Sequence, residues 1–412
     1  MSSTQKPRLI VLGTGFAAFS LLKSLKRSAF DTTVVSPRNH FLFTPLLPST
    51  TVGTLEFRSI IEPIRRGVPG IRYYQARCSN VDFIRKEILC NGTTDDAPFR
   101  LQYDILLVAV GAINNTYNVP GVEQHALFLK ELLDARTIRE RVIDCFERAS
   151  QPDVTEEGRR RLLHFVIVGG GPTGVEFAAE LHDLVEEDLR KPYSPLIPYV
   201  KITILEAGPS ILNSFDVVLS EYTAKIFRRQ QIDVRTNSPV IQVTADRINL
   251  KNGEIVPFGL LVWSTGIGPT SLVQSLSLPK TRSHRLLTDE WFRVKQVEAL
   301  YAIGDCAAFE SMEFPATSQV AQQEGRYLAR VLESSLLGKP IAPFRYHHYG
   351  MLAYVGSNRA LADLAAVKGR GLTTWIFWRS AYLTKLVSIK NKILVVFDWF
   401  KTFVFGRDIS RF

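Results

Sequence analysis

The chain has 412 residues, of which 46% are hydrophobic and 22% charged, a balance that excludes a disordered polymer and leaves room for more than one hydrophobic core. Its formal charge of +10 suits an anionic membrane, a nucleic acid or an acidic ligand, and net charge alone does not choose among them. Cys78, Cys90, Cys145 and Cys306 show no CxxC or CxxxxC spacing, so they read as ordinary thiols of a reducing compartment, with neither a redox dithiol nor a metal site expected.

Only MSSTQKP precedes the first apolar run, at residues 8 to 12, and that is too short for a usual organellar presequence. Residues 8 to 37, RLIVLGTGFAAFSLLKSLKRSAFDTTVVSP, predict a strand, a glycine turn, a helix and a second strand. Gly13 permits the tight turn, Gly15 lets a pyrophosphate approach the helix N-terminus, and Ala18 takes the third small position. An acidic residue usually holds the ribose at the end of such a second strand. Here the chain has Ser36, then Pro37 and Arg38, which weighs against NAD at this opening and leaves room for FAD held through other contacts.

A second opening, HFVIVGGGPTGVEFAAEL, spans residues 164 to 181, and Gly169, Gly171 and Gly174 fill all three glycine roles. The next strand, VKITILEA, comes after an insertion rich in proline and charge at residues 185 to 198, and it ends in Glu206. A carboxylate there accepts both ribose hydroxyls of NADH and repels the extra phosphate of NADPH; a purely structural glutamate is the other reading. Residues 255 to 279 carry no charge but contain three prolines, so they predict a buried strand and loop, not a spanning helix.

Residues 298 to 307, EALYAIGDCA, predict a strand ending at Gly304 and Asp305, where the chain of a two-dinucleotide flavoenzyme returns to its first domain. In PATSQVAQQEG, residues 315 to 325, Gln319 and Gln323 stand one helical turn apart on one face; an ordinary polar helix face explains them equally well on spacing alone. The order of these signals predicts an α/β protein with two Rossmann-like dinucleotide-binding domains, one inserted in the other. The chemistry that follows is hydride transfer from NADH to FAD.

The tail, residues 368 to 412, holds Lys368, Arg370, Arg379, Lys385, Lys390, Lys392, Lys401, Arg407 and Arg411 against Asp398 and Asp408. Among these charges lie Trp375, Phe377, Trp378, Tyr382, Leu386 and Trp399, while Ile393, Phe397, Phe400 and Phe403 recur at helical spacing. Charges interrupt the pattern too often for a spanning helix, so an amphipathic helix in the interface of an anionic bilayer is expected. Packing on the body or on another subunit is the competing reading. No recognition helix or finger is present, so no nucleic acid partner is expected.

Taken together, these stretches resemble the type II, alternative, non-proton-pumping NADH:quinone oxidoreductases, with wording closer to the eukaryotic branch. The resemblance runs through SPRNHFLFTPLLPSTTVGTLEFRSIIEPIR at residues 36 to 65, LLVAVGAINNTYNVPGVEQHALFLKELLDARTIR at 106 to 139, LVWSTGIGP at 261 to 269 and FDWFKTFVFGRD at 397 to 408. It implies non-covalent FAD, NADH as substrate and ubiquinone or another membrane quinone as acceptor. Gln319 and Gln323 match a glutamine motif that lines the quinone pocket, with Ser318 where the family often has Ala; an amide can donate to a quinone carbonyl without burying a charge. Glu176 is implied to face the nicotinamide and flavin, with binding favoured over obligatory proton transfer.

The resemblance further places Thr44 and Pro45 at the isoalloxazine, Lys130 near the flavin, and Arg38, Gly111 and Gly266 among the cofactor-binding positions. Turn capping by Thr44 and a solvated Lys130 remain as simpler readings. The implied domains are an FAD-binding domain at 1–125 and 291–367, an NADH-binding domain at 126–290, and a membrane-docking region at 368–412 that could also serve dimerisation. A homodimer peripheral on the mitochondrial inner membrane is the implied setting, with a cytoplasmic membrane as the alternative. The main rival function is a soluble FAD and NAD(P)H oxidoreductase serving a non-quinone acceptor, which would need neither the paired glutamines nor the basic aromatic tail.

Overall fold

In the computed structural model, which describes residues 6–310, 312–364 and 368–410, the first apolar run forms strand Arg8–Leu12, paired in parallel with Asp31–Ser36 and Ile105–Val108. These strands belong to a unit made of Met1–Phe41, Glu62–Ile113 and Ile267–His347. Its seven-stranded sheet runs Leu300–Ala302, Ile105–Val108, Arg8–Leu12, Asp31–Ser36, Arg72–Asp82, Glu87–Gly92, Pro98–Gln102. The first five strands are parallel and the last two join antiparallel. Leu9, Val11, Leu106 and Leu107 are fully buried, as expected where both faces of a parallel sheet are covered.

Arg72–Asp82 changes partners along its length. Thr33–Ser36 runs beside Arg72–Gln75, whereas Ala76–Asp82 pairs with Gly92–Glu87 across a bulge between Cys78 and Asn80. All four cysteines are free thiols, three of them buried, and this antiparallel pairing puts Cys78 directly opposite Cys90. Strand register, invisible to motif spacing, brings the two together.

A second unit comprises Leu42–Ile61, Asn114–Gly266 and His348–Phe412. Its parallel sheet runs Leu127–Phe128, Leu260–Trp263, His164–Val168, Lys201–Leu205, Asp233–Arg235. An antiparallel meander of Val240–Val243, Arg247–Leu250 and Ile255–Pro257 packs Ile248, Leu250 and Val256 into a core with Val166 and Trp263. Residues 255 to 279 form strands and the short helix Ser271–Ser275. Among the described residues, no helix is long and apolar enough to cross a membrane.

The tail ends in helices Leu372–Lys385 and Ile389–Phe405. The second is inverted relative to an ordinary amphipathic helix, because its anchored face is largely polar. Asn391 Nδ2 donates to Ser59 O at 2.8 Å and Ile61 O at 2.9 Å, Asp398 Oδ2 accepts from Ser59 Oγ at 2.6 Å and Glu56 N at 3.0 Å, and Thr402 Oγ1 donates to Thr54 O. Meanwhile Ile393, Phe397, Phe400 and Phe403 are 59–89% exposed, so the expected apolar stripe faces outward.

Other tail residues depart from the expectation. Trp378 and Leu386 are buried instead of interfacial, and Trp399 lies against the Arg379 guanidinium, which also stacks on Trp375. Lys368 pairs with Asp216, Lys401 with Glu56 and Arg407 with Glu187 and Asp188, so part of the positive charge is neutralised within the protein. Arg411 lies outside the described residues.

Candidate functional site

In the first unit, three adjacent parallel strands end at one edge. Arg8–Leu12 ends at Gly13 and Gly15, Ile105–Val108 leads to Gly111, and Leu300–Ala302 leads to Gly304 and Asp305. Carboxyl ends of neighbouring strands in an open α/β sheet form the crevice where nucleotides bind. At Gly13, with φ +113°, a Cβ would stand 2.3 Å from Ala109 O, so only glycine fits the turn; at Gly15 and Gly111 it would meet nothing within 4 Å. The backbone thus leaves open space over the N-terminus of helix Phe16–Ser24, as a pyrophosphate requires. These residues fit FAD.

Ser36 is not available as a ribose ligand in the usual way. It is buried, its hydroxyl lies 3.1 Å from Thr14 Oγ1, and it accepts from Arg38 N at 3.2 Å. The side chain braces the turn after the strand. Ala18 is fully buried and Arg38 half-buried.

Beside Gly304, the carboxyl of Glu324 accepts from the Gly304 N–H at 2.5 Å. Burial pushes this acid up to about 7, against the opposing pull of that N–H. Glu324, Arg285, Asp305, Phe292 and Phe309 line a small pocket. Gln319 and Gln323 begin helix Ser318–Leu336, and both are half-buried. Gln323 already clamps the His347 backbone, its Nε2 donating to His347 O at 2.8 Å and its Oε1 accepting from His347 N at 3.0 Å. One amide hydrogen and one lone pair remain for a ligand.

The second unit repeats the edge. His164–Val168 ends at Gly169 and Gly171, Lys201–Leu205 at Glu206, and Leu260–Trp263 leads to Gly266, with Lys130 just beyond Leu127–Phe128. A Cβ on Gly169 would lie 2.5 Å from Ser264 O and one on Gly174 2.1 Å from Gly169 O, while Gly171 opens onto free space. Glu206 is partly exposed and held by two backbone donors, Gly170 N to Oε2 at 2.7 Å and Gly208 N to Oε1 at 2.6 Å. Each oxygen keeps a lone pair for a ribose hydroxyl, so this cradle fits NADH. The Lys130 backbone N–H donates to Asp134 Oδ2 at 2.9 Å, beside the capping box of Glu131 and Asp134 that starts the next helix.

Glu176 lies on helix Pro172–Leu184 and is 6% exposed. Its Oε1 accepts from Tyr354 N at 3.0 Å. Burial pushes the carboxyl up to about 8, opposed by that N–H and reinforced by the nearby Glu180. The Trp378 indole N–H lies close enough to favour the ionised form but meets no partner at hydrogen-bonding geometry. Phe43, adjoining Thr44 and Pro45, packs edge-on to Tyr382, which packs edge-on to Trp378, and Trp378 lies 5.6 Å from the Tyr354 ring. The Thr44–Pro45 turn and Glu176 therefore share one aromatic surround.

A second carboxylate row along this helix escaped motif reading. Glu180 accepts from Ser49 Oγ at 2.5 Å and Thr54 Oγ1 at 3.1 Å, and Asp183 accepts from Tyr354 OH at 2.6 Å. Arg407, its side chain 6% exposed, lies 4.0 Å from Glu180 and 2.7 Å from both Glu187 and Asp188. Burial raises the Glu180 carboxyl and Arg407 opposes that rise. The spacing of Glu176, Glu180, Asp183 and Glu187 was the available signal, since steps of three and four repeat one helix face.

A family model described as pyridine nucleotide-disulphide oxidoreductase matches residues 7–325, and one described as the NDH2 C-terminal domain matches residues 348–408. The chain is 46% identical over 415 residues to a probable NADH dehydrogenase of Dictyostelium discoideum, covering 99% of this chain and 92% of that protein. It is 42% identical over 451 residues to an external mitochondrial NADH-ubiquinone oxidoreductase of Saccharomyces cerevisiae, covering 98% and 82%. A structure of NDH2 from Plasmodium falciparum in complex with NADH superposes with a TM-score of 0.93 at 28% identity, covering 99% of this chain and all of that one.

Proposed function

We infer the activity of this chain, which belongs to the type II NADH dehydrogenases of the pyridine nucleotide-disulphide oxidoreductase family, as FAD-dependent oxidation of NADH with reduction of ubiquinone or another membrane quinone to quinol, without proton pumping. One observation carries this reading: each unit presents a glycine cradle at a strand edge, and the second is completed by the backbone-held carboxylate of Glu206. FAD, when bound, supplies the chemistry that accepts a hydride and gives up two electrons.

In this reading Gly13, Gly15, Ala18, Arg38, Gly111, Gly304 and Asp305 hold FAD, with Thr44 and Pro45 approaching its ring. Gly169, Gly171, Gly174, Glu206 and Gly266 hold NADH. The FAD-binding domain is 1–125 with 291–367, the NADH-binding domain 126–290, and the docking region 368–412. Lys130, at the strand edge of the second unit, supplies positive charge there.

Glu176 holds a proton at neutral pH. An acid with a pKa of about 8 is roughly nine-tenths protonated at pH 7, so it offers a hydrogen-bond donor, or a proton, without placing a charge in its apolar surround. Gln319 and Gln323 orient the quinone ring through their amides. The outward stripe of Ile393, Phe397, Phe400 and Phe403 sits in the interface of an anionic bilayer, and the same helices serve a homodimer. The enzyme is then peripheral on a respiratory membrane, the mitochondrial inner membrane by analogy with relatives named mitochondrial.

Anaerobic stopped-flow absorbance tests the reading. Fast bleaching of the flavin by NADH and fast return on adding a short-chain ubiquinone are expected. In Gln319→Leu with Gln323→Leu, the return should slow more than the bleaching. Bleaching with no quinone-driven return in the unaltered protein would refute quinone reduction, and equal slowing of both steps would refute the glutamine assignment.

A further inference from the structure

The four cysteines resolve into one facing pair and two isolated thiols. Cys78 and Cys90 are twelve positions apart in sequence yet paired across Arg72–Asp82 and Glu87–Gly92. The surrounding hydrogen bonds define the kind of pairing. Gly92 N donates to Ala97 O at 3.1 Å, so the Gly92 peptide turns toward the Pro98–Gln102 strand. Backbone orientation repeats every two residues, so Cys90 turns its peptide the same way and away from Cys78. On the other side, Thr93 N donates to Gln75 O at 3.2 Å, which puts the hydrogen-bonded positions of that ladder at Gln75 and Arg77.

Cys78 and Cys90 are therefore a non-hydrogen-bonded pair, the kind in which facing side chains come closest. Their Cα atoms are expected about 4.5 Å apart, inside the span of roughly 4.4–6.8 Å that a disulfide bridges. Cys90 is fully buried in a core with Ile88, Tyr103 and Val273, whereas Cys78 is partly exposed at its margin. The facing Cys90 pulls the Cys78 thiol below its ordinary range, and Cys78 together with burial pushes Cys90 up, while Cys78 Sγ donates to Asn80 O at 3.4 Å. A reachable sulfur with more thiolate character thus faces a sheltered one, the arrangement of an attacking and a resolving cysteine.

We propose that Cys78 and Cys90 form a redox-responsive dithiol that closes to an intramolecular disulfide on contact with hydrogen peroxide. The Cys78 thiolate attacks one peroxide oxygen and the O–O bond breaks. Sulfur is oxidised to a sulfenic acid, and the departing hydroxide takes a proton and leaves as water. The Cys90 sulfur then attacks the Cys78 sulfur, forming the S–S bond; the hydroxyl leaves with the Cys90 proton as a second water. Two thiols have lost two electrons to one peroxide, and a dithiol reductant reverses the change. Cys145 and Cys306 are buried on other elements and stay reduced.

The test uses the full-length, FAD-loaded protein, reduced, desalted and exposed to a few equivalents of hydrogen peroxide, with remaining thiols alkylated after denaturation and mapped by peptide mass spectrometry. The expected result is a linked peptide containing Cys78 and Cys90, two hydrogens lighter than its parts, with both thiols recovered by dithiothreitol and with Cys145 and Cys306 alkylated throughout. In Cys90→Ser, Cys78 should instead stop at the sulfenic acid and be trapped by dimedone. Full alkylation of Cys78 and Cys90 after peroxide, or a Cys78 link to a second chain, would overturn the proposal. The mapping on the unaltered protein decides the matter even if the variant does not fold.

Discussion

Replacing Glu176 by Gln should change how stability depends on pH more than it changes stability at any one pH. The folded-state carboxyl is held near 8 against an ordinary value of 4.5. Below pH 4.5 the folded and unfolded states are both protonated and the group contributes nothing. Between 4.5 and 8 the unfolded chain releases the proton while the folded chain keeps it, so the folded state binds more protons and its stability falls as pH rises. Above 8 both states are ionised and the full penalty remains. Integrated from pH 5 to pH 8, the loss is about 3.5 kcal/mol.

A neutral amide at this position has nothing to titrate, so the variant escapes that loss. With an unfolding entropy of about 2.1 cal/mol/K per residue, the melting temperature of Glu176→Gln relative to the unaltered protein should rise by about 4 °C between pH 5 and pH 8. Differential scanning calorimetry at constant ionic strength, without added NADH, measures it. A difference that stays flat across this range would mean that Glu176 is ionised throughout, and its role as a held proton would fall with it.

Arg407→Ala should cost about 3–5 kcal/mol, because it strips a buried carboxylate cluster of its cation; adding Glu180→Gln should recover part of the melting temperature, and no recovery would remove Glu180 from that cluster. Changing Phe397, Phe400 and Phe403 together to Ser should lower affinity for anionic vesicles at least about a hundredfold, taking roughly 1 kcal/mol or more of apolar transfer per side chain. Because these rings are 59–89% exposed, the melting temperature should hardly move, and unchanged co-sedimentation would place the membrane contact elsewhere.

Features that depend on short stretches were legible in the residues themselves. A glycine fingerprint between an apolar run and a helix is a local object, and so is a carboxylate at the end of the following strand. Gly13, Gly169 and Glu206 therefore stand at strand edges as expected. The stripe from Ile393 to Phe403 follows from helical periodicity alone, and it is exposed. Ser36 could be seen as a departure from the usual acid, but its engagement by Thr14 could not.

Tertiary structure decided what these local objects do with each other. The amide of Gln323 looked like a ligand donor by position, yet its clamp on His347 arises from a loop 24 residues away. Nine tail cations counted equally in the sequence, whereas burial sets Arg407 among carboxylates and leads Lys368 and Lys401 to acids of other segments. Glu176 is an ordinary glutamate until the fold removes its water, since desolvation, the largest influence on its proton affinity, has no sequence signature. Cys78 and Cys90 make the same point at the shortest range: their spacing says nothing, and one antiparallel register makes them a pair. Local periodicity determines which elements form, while contact between distant segments determines burial, charge and partner.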